Sequence, residues 1–162
     1  MIHVQAVDSP EEWTDHLGRV CTGDRRKPIT VIVMDAQGGG IGRMLVTELK
    51  ALRPDQEIIA VGTNPLATQA MLKAGADRGA SGENAVVVAC RRADLILAPI
   101  GMLLGDGMLG EVTPAMASAF GASDCRKILV ASGKCGVEVA GLQPMSAAEY
   151  VKKAAALALQ YL

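Results

Sequence analysis

Residues Ile29–Gly42 read ITVIVMDAQGGGIG: an apolar run, a terminal aspartate, then four glycines in five positions. The run is apolar throughout rather than alternating. That is the pattern of a strand covered on both faces, the habit of parallel sheets. Past the glycines, Ile41, Leu45, Leu49 and Leu52 recur at spacings of 4, 4 and 3, one face of a helix from about Gly40 to Leu52. Strand, glycine turn and helix form the opening crossover of a Rossmann-type fold.

The alternation continues along the chain. Apolar runs at Glu57–Val61, Asp94–Pro99 and Lys127–Ala131 predict three more strands. Asn64-Pro65 and Thr113-Pro114 pair a capping side chain with a first-turn proline, and Ser146-Ala147-Ala148-Glu149 is a capping box. Leu66, Ala70 and Ala74 form a second helical face, stopped by Gly75. In Glu83–Arg92 the run Val86-Val87-Val88 favours strand by propensity, but a parallel sheet needs a crossover before Asp94, so a helix is predicted. Ile2–Val7, with a helix begun at Ser9-Pro10-Glu11-Glu12, predicts an added βα unit at the front. The expected architecture is an α/β three-layer Rossmann-like sandwich with a mostly parallel sheet and an extra N-terminal βα unit. It forms one domain over residues 1–162, with 1–28 as an extension packed on it.

Composition narrows the function. Half the residues are hydrophobic and 20% are charged, which excludes disorder. Sixteen basic against seventeen acidic residues give a formal charge of -1, which argues against a nucleic-acid partner; the 2% aromatic content argues against base-stacking platforms. No apolar run approaches the ~20 residues of a membrane span, and Met1–Pro10 lacks a basic stretch followed by an apolar one. A cytoplasmic location is therefore expected. Cys21, Cys90, Cys125 and Cys135 contain no CxxC pair, and the histidines are His3 and His16 alone. Free thiols are expected, and no metal site.

The glycine turn carries the chemistry. Backbone without side chains admits an anion to its N–H groups, and a helix N-terminus adds partial positive charge. The spacing is not GxGxxG; it is nearer the GxxxGxG turn of short-chain dehydrogenases, with Ala36 in the first glycine position. A dinucleotide site also wants a carboxylate about 20 residues on for the ribose. The second strand ends instead in Gly62-Thr63-Asn64. The expected ligand is a nucleotide, dinucleotide or other phosphate-bearing cofactor, with NAD(P) lacking its ribose-binding carboxylate. The competing reading is that the glycines serve packing alone.

The candidate binding set is Asp35, Gln37, Gly38, Gly39, Gly40, Gly42, Thr63, Asn64, Glu83, Asn84 and Lys134, gathered at the carboxyl ends of the predicted strands. Some have bland explanations: Asn64 is a helix cap, and acidic residues such as Glu83 suit first turns. Asp35 would repel a phosphate unless it coordinates a metal or bonds a ribose. Catalytic residues are not identified. Both histidines lie in the N-terminal unit, which disfavours a Ser-His-Asp or Cys-His arrangement. Asp35, Glu83, Glu111 and Lys134 are the remaining acid–base types. Lys134 beside Cys135 favours thiolate, against which stands the reading of Cys135 as a small packing residue.

Two segments carry surplus apolar surface. Pro99–Val112, PIGMLLGDGMLGEV, fits a lid, a subunit interface or core packing. The C-terminal helix, Ser146 to Leu162, is apolar all round from Ala154 to Leu159, which places it deep in the fold or against a second subunit. A homodimer through either segment is expected.

The chain also resembles an uncharacterised bacterial family of small Rossmann-like proteins, classed as a domain of unknown function. The resemblance rests on Asp35–Arg43 (DAQGGGIGR), Gly62–Asp77 (GTNPLATQAMLKAGAD), Ser81–Ala85 (SGENA), Pro99–Gly101 (PIG), Met108–Pro114 (MLGEVTP) and Lys134–Cys135, and covers roughly Ile29 to Leu142. It implies the fold and transfers no activity. The chain departs from the family pattern at Gly133, where asparagine is usual. Three functions stay open: a phosphate-ligand-binding module, a cofactor-dependent enzyme such as an oxidoreductase using Lys134 or Cys135, and an oligomeric assembly or adaptor protein with a vestigial pocket.

Overall fold

The computed structural model describes residues 12–14, 20–22, 28–131 and 135–162. Its centre is a five-stranded sheet in which every pairing is parallel. The strands are β3 (Val31–Asp35), β4 (Ile58–Gly62), β5 (Arg78–Ser81), β6 (Leu95–Pro99) and β7 (Arg126–Val130), in the spatial order β5-β4-β3-β6-β7. The chain starts in the middle, builds outward one way, then crosses back and builds the other way. That is the Rossmann order, and its reversal lies between β3 and β6.

Helices cover both faces. α1 (Gly40–Leu52), α2 (Pro65–Lys73) and α6 (Ala147–Ala158) pack on one side, where Val31, Val33, Leu45, Leu49, Met71 and Val151 share a core. α3 (Glu83–Arg92) and α5 (Pro114–Ala122) cover the other, with Ile32, Met34, Val86, Met116 and Phe120. All five residues of β3 and all five of β6 are buried, as the continuous apolar runs require. α1 spans the segment its periodicity predicts. Glu83–Arg92 is helical: the need for a crossover outweighs the strand propensity of its valines. The capping box at Ser146 forms in full.

Three features differ from expectation. β5 is an edge strand, Arg-Gly-Ala-Ser, exposed along its length. It lacks the apolar run that marks the other strands. The N-terminal unit is not βα where it is described. β1 (Glu12–Thr14) pairs antiparallel with β2 (Val20–Thr22), so Glu12 lies in a strand and not in a helix begun at Ser9. The aromatic and β-branched residues Trp13, Thr14, Val20 and Thr22 suit strands, which outweighs the capping signal. Residues 1–11, with the expected strand Ile2–Val7, lie outside the described residues, as do His3 and His16. Third, the expected C-terminal helix to Leu162 ends at Ala158. Val151, Ala154, Ala155 and Ala158 pack into the core beside α1 and β7, which absorbs much of its apolar surplus.

Candidate functional site

The β3–α1 turn lies at the carboxyl end of β3, beside the point where strand order reverses. An open α/β sheet presents its ligand crevice there. The four glycines of this turn divide into two pairs. A Cβ on Gly39 would stand 2.8 Å from the Ala67 carbonyl oxygen, and Gly39 has φ 68°. A Cβ on Gly42 would stand 2.5 Å from Met71 Sδ and 2.8 Å from Asp35 Cβ. These two let α1 sit close to α2 and to the strand. Gly38 and Gly40 are different: a Cβ at either position would meet nothing within 4 Å, and neither has positive φ. Packing explains one pair and leaves the other unexplained.

Two carboxylates already serve this turn. Asp35 is 4% exposed. Its Oδ1 accepts from Ala36 N–H at 2.8 Å and its Oδ2 from Gly42 N–H at 2.6 Å, so the last residue of the strand caps the helix that follows. Gly39, at the N-cap position, has no side chain to do so. Burial pushes the Asp35 carboxyl above its ordinary range; the hydrogen bonds from Gly42, Ala36 and Ile41 pull the other way, and Glu111 adds a smaller push upward. The second carboxylate is Glu111. Its Oε2 accepts from Gln37 N–H at 2.5 Å, and its Oε1 accepts from Asn64 Nδ2 at 2.5 Å. The expectation of bare main-chain amides therefore narrows to Gly38 and Gly40, whose N–H groups have no hydrogen-bond partner among the described residues.

Asn64 ties three elements together. Its Oδ1 caps α2 by accepting from Ala67 N–H at 2.9 Å, while its Nδ2 donates to Gln37 O at 3.0 Å and to Glu111. Glu83 opens α3 and accepts from the Thr113 hydroxyl at 2.5 Å. Asn84 follows it, exposed. Thr63 is buried beside Asn64, its N–H donating to Asp35 O at 3.0 Å. Asp35, Gln37, Thr63, Asn64 and Glu83 thus come together at one sheet edge. Lys134 lies outside the described residues. Cys135 is half-buried, and a Cβ on Gly101 would come within 3.8 Å of it, at the base of the β6 loop. Cys90 is buried, and burial pushes its thiol up to about 11.

Glu111 is the residue the sequence least advertised. It arrives from the segment after β6. That segment runs through a 3-10 turn, Ile100–Leu103, and a single turn α4, Gly107–Gly110. Asp106, Met108 and Leu109 have φ of 60°, 55° and 63°, a left-handed path that L residues rarely take. Met102 and Val112 are fully buried, while Leu109 is fully exposed. The segment is therefore anchored in the core at both ends and lies open in its middle. Two surface hollows lie elsewhere: one of about 300 Å³ beside Arg43, Thr47 and Ala148, and one of about 660 Å³ between α3 and α5. Neither is lined by the glycine turn. Among the described residues, no group of three or more His, Cys, Asp or Glu is arranged to hold a metal ion, and no helix is long and apolar enough to cross a membrane.

Strand order and a glycine turn at the switch point define a Rossmann-like α/β protein. The chain belongs to the family described as Domain of unknown function (DUF3842), whose profile matches residues 30–162. No curated protein matches it. Among solved structures it is similar to a dodecameric FMN-dependent Ubix-like decarboxylase from Escherichia coli O157:H7, at 13% identity and TM-score 0.41 over 82% of this chain and 93% of that one. It is also similar to AtPrR2 in apo form, at 19% identity and TM-score 0.41, over 77% of this chain and 45% of that one.

Proposed function

We propose that this protein binds a small phosphate-bearing ligand, of the nucleotide class, with the phosphate over Gly38 and Gly40. One observation carries the reading: these two glycines are required neither by packing nor by backbone conformation, and their N–H groups stand open at the start of a 13-residue helix. Asp35 does not meet the ligand; it holds the helix. Glu111 flanks the phosphate position, and its segment, Gly105–Glu111, serves as the rim or lid of the site. The nearby carboxylates oppose a densely charged anion. That favours a ligand whose phosphate is one end of a larger polar molecule.

The test is calorimetric titration of the full chain with inorganic phosphate, a nucleoside monophosphate, FMN and NAD(P). Binding by a phosphate compound that is abolished by Gly38→Glu, a substitution the open space accommodates, supports the reading. Absence of binding by every compound overturns it. An oligomer contact is proposed at the exposed part of the stretch Pro99–Val112, where Leu103 and Leu109 face solvent. Sedimentation as a monomer at high concentration would remove it.

A further inference from the structure

We propose that the Thr63 hydroxyl, together with Glu111 and the Glu83–Thr113 pair, forms a subsite for the sugar hydroxyls of the ligand. The proposal rests on the phosphate reading above and names what lies beside the phosphate. Its starting point is a polar atom left alone: Thr63 is 9% exposed, and its Oγ1 has no hydrogen-bond partner among the described residues. Buried hydroxyls are nearly always bonded, so an orphan marks a place where another molecule belongs.

Thr63 lies at the carboxyl end of β4 with its Oγ1 covered, so a ligand reaches it as the segment that carries Glu111 lifts. Its N–H donates to Asp35 O at 3.0 Å, which extends the β3–β4 pairing by one residue. Side chains alternate along a strand, and Val61, two residues back, lies in the core on the α3–α5 face. Thr63 continues on that face. Val112 lies in the same core. The residues on either side of Val112 are fastened across the end of β4: Glu111 to Asn64, and Thr113 to Glu83. Gly82 N–H donates to Gly62 O at 2.9 Å, which brings the start of α3 alongside. Thr63 therefore lies at the strand end across which two carboxylates from separate elements are fastened.

This set suits hydroxyl groups. Each ionised carboxylate has about four acceptor positions, so Glu111 and Glu83 keep capacity beyond the bonds they already make. Both repel a second phosphate. A vicinal diol supplies the donors they lack and an acceptor for the Thr63 O–H. The source of the diol is a nucleotide or a free pentose phosphate.

The experiment compares adenosine monophosphate with its 2′-deoxy form, alongside ribose 5-phosphate and inorganic phosphate, by titration calorimetry. The wild type is expected to prefer the ribo form about fivefold, the weight of one hydrogen bond. Thr63→Val should bring that ratio to unity, leave inorganic phosphate binding unchanged, and keep or raise Tm, because an unpaired hydroxyl is removed. Thr63→Ser should retain the preference and guards against a misfolded valine variant. Ribose 5-phosphate binding as tightly as the nucleotide would identify the free sugar as the source. Phosphate binding without ribo preference, or a preference that Thr63→Val leaves intact, overturns the subsite while sparing the phosphate reading. In the last case the hydroxyl holds only a buried water. If no probe binds, both readings fall.

Discussion

The β3–α1 and β4–α2 turns stand side by side at one sheet edge, built by opposite means. The β4–α2 turn closes with its own residues. Asn64 caps α2, Pro65 sets its first residue, and the Thr68 hydroxyl folds back to Asn64 O, Ala80 O and Ser81 Oγ at 3.2, 3.1 and 2.7 Å. The β3–α1 turn has glycine where the cap should be. It borrows one carboxylate from the strand before it and another from a residue 74 positions away. The β4–α2 turn satisfies its backbone from its own residues and leaves one side-chain group over, the Thr63 hydroxyl. A turn completed by Glu111 from a remote segment is able to exchange that partner for a ligand.

The largest effect is expected where the borrowed cap is buried. Asp35→Ala leaves the Gly42 N–H without its acceptor and should cost about 2 kcal/mol below pH 3.8, read by urea denaturation. The loss has a pH signature. Burial holds the folded carboxyl above its unfolded value of 3.8, so its contribution is fully present below that pH and is lost as pH rises through the raised value. The gap between wild type and Asp35→Ala should therefore narrow as pH rises above 3.8. Asp77 has the opposite sign. The Lys50 ammonium lowers its carboxyl, and stability from it is lost as pH falls. A gap that widens with pH would refute the assignment to Asp35.

Asn64→Ala comes next. It removes the α2 cap and the bonds to Gln37 O and Glu111 Oε1, so a loss of about 1–2 kcal/mol is expected. A loss of only a few tenths would mean that the two turns are not coupled. Glu111→Ala should cost less, under about 1 kcal/mol, because its partners Gln37 N–H and Asn64 Nδ2 lie where water reaches them. Its distinguishing readout is local. Amide exchange at Gln37 should speed up while exchange in α2 stays as it was, and affinity for inorganic phosphate should rise several-fold as a like charge is withdrawn. Unchanged exchange at Gln37 would break the contrast between the turns.

Much of the fold was legible because burial on both faces leaves a continuous apolar run, as in Val31–Val33 and Leu95–Leu97, and because caps such as Asn64-Pro65 are local. β5 was not, since an exposed Arg-Gly-Ala-Ser edge carries no such run. Within the site, the glycine turn was visible, but its division was not. That Gly39 and Gly42 serve packing while Gly38 and Gly40 do not depends on where α2 lies. In the sequence Glu111 reads only as one acid among several. Its pairing with Gln37 joins segments far apart in the chain, and no local pattern announces such a bond. The orphaned hydroxyl of Thr63 is likewise a property of its surroundings.

The smallest effect tests the segment that delivers Glu111. Leu109 is fully exposed and left-handed, so its side chain gains nothing from burial and its backbone is held at a cost. Glycine adopts that conformation freely but adds entropy to the unfolded chain, so the two terms partly cancel. Leu109→Gly should leave the monomer unchanged or stabilise it by up to about 1 kcal/mol, a rise in Tm of roughly 2–4 °C. The β4–α2 turn offers no such gain, since Asn64 and Pro65 already suit their conformations. A clear loss on Leu109→Gly, accompanied by weaker self-association in sedimentation, would mean that the exposed leucine is buried against a second copy. The segment would then be an interface first and a lid second.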